Sequence, residues 1–149
     1  MKLRSLLAAV AITVSAIVLR IKVGALGYLS LCDALIVMLL SSEKPSYAML
    51  LAAVSCLAAD HINGYGYYGF ATVIIKGLIG FMTAWLYQKK SRYDYLPVLI
   101  TVIGYGICDW LLFKNINIVY QSVRYNCLQV LASLALIMLY RLLITKKRG

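Results

Sequence analysis

ATVIIKGLIG, residues 71 to 80, places Lys76 in the middle of an apolar run that extends from about Tyr67 to Tyr87. A run of that length suits the hydrocarbon core of a bilayer, which a helix crosses with about 20 apolar residues. A cation at the centre of a lipid-facing helix costs about 2.5 to 3.5 kcal/mol, so Lys76 needs a partner or a task. Which of these it has decides both the fold and the function.

The rest of the chain has the same character. Of 149 residues, 63% are hydrophobic and 13% charged, and the mean hydropathy is +0.86. Soluble domains stay near 45 to 50% apolar. This composition therefore predicts an integral membrane protein, read as one polytopic domain over residues 1–149. Splitting at charge clusters and at Gly, Pro and Asn punctuation yields six apolar segments, at about 5–20, 28–42, 47–60, 67–87, 95–113 and 116–144. They predict an all-α fold of six transmembrane helices, the second and third short for the bilayer and extending into their flanks.

The net charge of +10 does not point to nucleic acid, because the cations sit in short clusters between apolar runs. Lys2, Arg4, Lys44, Lys89, Lys90, Arg92, Arg141, Lys146, Lys147 and Arg148 fall on one side of such a bundle, and only Arg20, Lys22 and Lys114 on the other. The richer side is cytoplasmic by the positive-inside rule. Both termini then lie inside, and the loops at about 21–27, 61–66 and 114–116 face out. The segment Lys2 to Leu19 reads as a first membrane helix rather than a cleaved signal, since Arg20, Ile21 and Lys22 offer no small-residue cleavage site.

The two remaining cations, Lys76 and Arg124, lie within spans, as do Asp33, Asp60 and Asp109. At 1.5 Å per residue, Lys76 lies roughly 13 Å and Arg124 roughly 12 Å below the outer boundary, with the aspartates shallower. Polar groups confined to the outer half predict a pocket open to the outside; a pathway across the membrane would need them at inner depths as well. Asn117, Tyr120, Gln121 and Arg124 share one face of the sixth segment, and Tyr68, Thr72, Lys76, Gly80 and Thr83 one face of the fourth. The loop DHINGYGYYG, with Asp60 and Asn63, adds tyrosines able to cover a planar solute. A purely structural alternative pairs Lys76 and Arg124 with Asp60 and Asp109 and needs no ligand.

Enzymatic and cofactor roles find no support. No serine sits in a nucleophile elbow and no GxxxxGKS loop is present to hold a nucleotide. His61 is the only histidine, and Cys32, Cys56, Cys108 and Cys127 lack metal-ligand spacing, which favours packing over metal or redox use.

The stretch GYLSLCDALIVMLLSSEKPSYAMLLAAVSCLAADHINGYGYYGFATVIIKGLIGF resembles the S components of energy-coupling factor (ECF) vitamin transporters, of the riboflavin-transporter-like kind. Leu31 and Asp33 resemble the leucine-glycine-aspartate start of that family's second helix, with Cys32 in place of the glycine. Lys44 and Pro45 resemble its glycine-proline turn, with Ser42 or Glu43 at the glycine position. Asp60 is similar to the aspartate ending its third helix, and ATVIIKGLIG to the opening of its fourth. The resemblance implies a multi-pass subunit of a bacterial cell membrane that binds a small water-soluble vitamin or precursor, of the riboflavin, pyridoxine or hydroxymethylpyrimidine type. Its implied partners are a transmembrane T component, docked on small residues of the first helix such as Ala8, Ala11 and Ser15, and two cytosolic ATPase subunits. The substrate site would comprise Lys76, Arg124, Asp109, Asn117, Tyr120, Gln121, Asp60, Asn63, Tyr68 and Thr72. The rival reading is a self-sufficient, ion-coupled secondary transporter of a small polar solute.

Overall fold

The computed structural model describes residues 3–22 and 28–146. Lys2, Lys147 and Arg148 of the inner cation count, and residues 23–27 of the first outer loop, lie outside the described residues. Six helices run in chain order: α1 Leu3–Val18, α2 Cys32–Leu40, α3 Pro45–Ile62, α4 Gly69–Gln88, α5 Ile100–Phe113 and α6 Ile116–Lys146. Single 3₁₀ turns lead into α4 (Gly66–Tyr68) and α5 (Leu96–Leu99). With these lead-ins α3, α4, α5 and α6 are long and apolar enough to span, and α1 is a shorter apolar helix. The chain is an all-α polytopic membrane protein.

Segment 28–42 departs from its expected form. Its front end is a strand, Tyr28–Leu29 (β2), paired antiparallel with Ile21–Lys22 (β1), Ile21 opposite Leu29. The helix begins only at Cys32, whose N–H is donated to the Ser30 hydroxyl at 3.4 Å. Nine residues make a helix of about 13 Å, less than half of the roughly 30 Å core. Such an element persists in lipid by burying itself: Ala34, Ile36 and Leu40 are fully enclosed by the neighbouring helices.

The tightest seam joins α3 to α4. Pro45 opens α3, where its missing N–H costs nothing, after an extended Lys44. The seam is built of small residues, Ala48, Ala52 and Ala53 on α3 and Gly77 and Gly80 on α4, the composition that lets backbones approach closely in a bilayer. Helix α1 and the residues after it are fastened to α3 and its flanking turns by polar contacts. Ser5 donates to Glu43 at 2.8 Å, Thr13 to the Ser55 carbonyl at 3.2 Å and Asn63 to the Ala16 carbonyl at 3.2 Å, while Arg20 donates to Asn63.

Helices α5 and α6 form a looser outer layer. Only 22% of each span is buried, against 44% and 50% for α3 and α4, so Ile103, Ile107, Leu111, Leu128 and Leu131 are left as a lipid-facing surface. At the inner end Arg141 of α6 donates to buried Asp94 and lies 5.1 Å over the Tyr95 ring, closing that layer onto the loop after α4.

Candidate functional site: a cavity at the cation-poor end

The start of α2, the end of α3, the start of α4, the end of α5 and the first half of α6 converge at the end of the bundle that carries few cations. By the charge count this is the outer end. Between them lies a cavity of about 530 Å³, a figure that counts its open mouth and the solvent there. Two tiers of polar side chains build it, with Asp33 and Thr101 standing behind the residues that line it.

The deep tier is built on Asp33 and Lys76. They are 0% and 3% exposed, and Nζ of Lys76 donates to Oδ1 of Asp33 at 2.6 Å. Thr101 donates to Oδ2 at 2.9 Å and Gln129 Nε2 to the same oxygen at 2.8 Å. The Gln129 carbonyl accepts the Ser30 N–H at 3.1 Å, and the Tyr105 ring lies 5.2 Å from the ammonium. One carboxylate thus joins α2, α4, α5 and α6. An ammonium has three donors; Lys76 directs one to Asp33 and a long one, 3.4 Å, to Thr101, which leaves capacity for a cavity ligand.

The shallow tier is built on Asp60 and Asp109. Thr72 donates to Asp60 and contacts the Tyr105 hydroxyl at 2.9 Å. Asp109 accepts from Tyr68 on one side and Ser122 on the other, and Asn126 donates to Ser122 at 3.1 Å. The rings of Tyr68 and Tyr105 meet edge to face at 5.9 Å. Tyr65 reaches the cavity from the loop before α4, where Gly64 makes the turn at φ +82° that other residues rarely adopt. Cys32 and Cys56 line the wall as buried thiols, and Cys32 Sγ accepts from the Ser30 hydroxyl at 3.1 Å.

Of the residues expected to form a site, Lys76, Asp60, Asp109, Tyr68 and Thr72 line this cavity. Asn117, Tyr120, Gln121 and Arg124 do not. This stripe faces outward: Asn117, Tyr120, Gln121 and Arg124 are all exposed, and Arg124 lies 5.8 Å over the Tyr120 ring. At that depth an arginine keeps its guanidinium near headgroup level by bending along its own helix. Asn63 is engaged with Arg20 and Ala16 outside the cavity. The structural alternative also needs correction, because Lys76 pairs with Asp33 rather than with Asp60 or Asp109. Among the small residues of α1, Ala8 and Ser15 are buried within the chain and only Ala11 is exposed.

The residues that sequence reasoning missed are Ser122, Asn126 and Gln129 of α6, Tyr105 and Thr101 of α5, and Ser30. The α6 set had a signal: spacing i, i+4, i+7 marks a second polar face, about 160° around the helix from the Arg124 stripe at 3.6 residues per turn. That second face carries no charge and was outweighed by the one that does.

The arrangement can hold a flat, polar solute: tyrosines to cover its rings, one cation and several amide and hydroxyl groups to bind its edges. Among the described residues no cluster of metal-ligating side chains occurs. A family model described as ECF-type riboflavin transporter, S component, matches residues 2–145. No curated protein matches the chain.

Proposed function

Since the chain belongs to the family of S components of ECF-type riboflavin transporters and is the substrate-binding, non-catalytic subunit of such an importer, we propose that its outer cavity captures riboflavin itself. The observation that carries this reading is the cavity in which Lys76, Gln129 and Thr72 stand beside Tyr68 and Tyr105. Riboflavin presents a tricyclic ring with carbonyls and an imide N–H at one edge, and a chain of hydroxyls. The tyrosines cover the ring, while Lys76 and the amides of Gln129 and Asn126 bind its polar edge or the chain. Asp60 and Asp109 accept from hydroxyls or position the side chains that do.

Uptake then requires energy from outside this chain. The partners are a transmembrane T component and two cytosolic ATPases, with the exposed part of the α1 small-residue patch, Ala11, as the contact seat for the T component.

Titrating the purified chain with riboflavin tests the assignment. The expected result is saturable quenching of flavin fluorescence at one ligand per chain, not displaced by excess pyridoxine or hydroxymethylpyrimidine. No quenching, with pyridoxine bound instead, overturns the choice of vitamin. Uptake into proteoliposomes by this chain alone, driven by an ion gradient, would establish the secondary-transporter reading in its place. Arg124→Met is expected to leave riboflavin affinity within about threefold of the parent, roughly the 0.5 kcal/mol scatter of a surface substitution. A large loss would return Arg124 to the site.

A further inference from the structure

A second recess lies at the opposite, cation-rich end. The chain segments after α2 and α4, the start of α1 and the end of α6 enclose a polar pocket of about 1620 Å³, mouth included. Arg4, Lys90 and Arg141 bring three cations to it, and Ser41, Ser42, Gln88 and Ser91 bring neutral donors. Among the described residues that line it the one carboxylate, Asp94, is already engaged by Arg141, which leaves Arg4 and Lys90. The pocket therefore carries an excess of positive charge.

Arg4 also lines a second, apolar groove of about 800 Å³, formed with Leu3, Leu7, Ala8 and Ala11 of α1 and Leu39 of α2. This groove runs from Arg4 toward the membrane interior, since Ala11 lies seven residues, roughly 10 Å, deeper along α1. Val37, Met38 and Ile137 form the floor of the polar pocket about one turn below Ser41 and Arg141. Charge, hydroxyls and aliphatic surface are thus layered in the order a phospholipid presents them, phosphate at the interface and acyl chain below.

We propose that in the subunit on its own this composite recess binds one anionic phospholipid of the inner leaflet, its phosphate between Arg4, Lys90 and Arg141 and one acyl chain in the α1–α2 groove. Free phosphate satisfies the cations but has no use for the groove. A zwitterionic lipid fills the groove but brings its own cation to a positive pocket. Only an anionic lipid matches both halves.

Native mass spectrometry of the full chain in detergent tests this, with phosphatidylglycerol, phosphatidylcholine of the same chains, or inorganic phosphate added. Phosphatidylglycerol is expected to remain bound at one per chain, roughly tenfold or more in preference to phosphatidylcholine, the effect of about two basic side chains. Arg4→Gln with Lys90→Gln should erase that preference. Leu7→Trp should reduce retention of both lipids by filling the groove. Riboflavin binding, at the far end of the bundle, serves as the check that each variant is folded. Equal retention of the two lipids by the parent overturns the proposal, as does an unchanged preference in the double variant. Phosphate competing with phosphatidylglycerol at equal concentration would reduce the site to an anion site and overturn the lipid.

Discussion

Lys76→Met is expected to destabilise the folded chain by about 3 to 5 kcal/mol and to abolish riboflavin binding. The stability loss comes from what remains. Asp33 is 0% exposed and would keep its hydrogen bonds from Thr101 and Gln129 but lose its counter-charge, and a buried ion left without its partner costs about that much. Adding Asp33→Asn to Lys76→Met removes the orphaned charge and preserves an oxygen that accepts from Thr101 or Gln129. The double variant is therefore expected to regain most of the lost stability while still failing to bind the vitamin. Thermal unfolding in detergent and flavin quenching, measured on both variants, separate the two roles. Unchanged stability in the single variant would show that the pair does not form. Normal binding in the double variant would remove Lys76 from the ligand contacts.

That outcome would answer the question raised by a lysine in an apolar run: its partner is Asp33, and its task is the binding proposed above. The cost of burying the pair is offset because Asp33 also receives Thr101 and Gln129. Such a network was illegible in the sequence. The side chains that meet at Asp33 are 43, 68 and 96 residues away along the chain, and helical periodicity describes one face of one element without naming what faces it. The helices themselves were legible, since each apolar run between charge clusters must hide its backbone polar groups in a helix to enter lipid. α4 at Gly69–Gln88 and α6 at Ile116–Lys146 lie within two residues of their expected bounds. Segment 28–42 failed because the cue was hydropathy, which treats Tyr28 and Leu29 as helix material. It carries no signal for their pairing with Ile21 and Lys22. The sixth helix failed differently: Arg124 drew attention to the face that carried charge, whereas the cavity took the neutral one with Ser122, Asn126 and Gln129.

Gly80→Val is expected to cost about 3 kcal/mol or more, the upper end of the overpacking range, because the seam between α3 and α4 has no room to yield. A Cβ at position 80 would stand 2.6 Å from the Ala48 carbonyl oxygen and 2.9 Å from the Ala52 Cβ. Backbone and a methyl carbon cannot rotate aside, so the helices must separate. Gly104 offers the contrast. A Cβ there meets only side-chain atoms, Ile75 Cγ1 at 2.6 Å and Cδ1 at 2.7 Å, but Ile75 is buried and β-branched on a helix, so making room costs about 1 to 3 kcal/mol. Gly104→Ala should accordingly melt below the parent but above Gly80→Val, because no backbone has to part. Binding adds a second readout, since the cavity takes Cys56 and Asp60 from α3 and Thr72 and Lys76 from α4. Whatever fraction of Gly80→Val folds should bind riboflavin more weakly, as those walls part. If Gly80→Val instead melts with the parent and binds as well, α3 and α4 do not meet at Ala48, and the frame that holds Lys76 beside Asp33 must be set by other contacts.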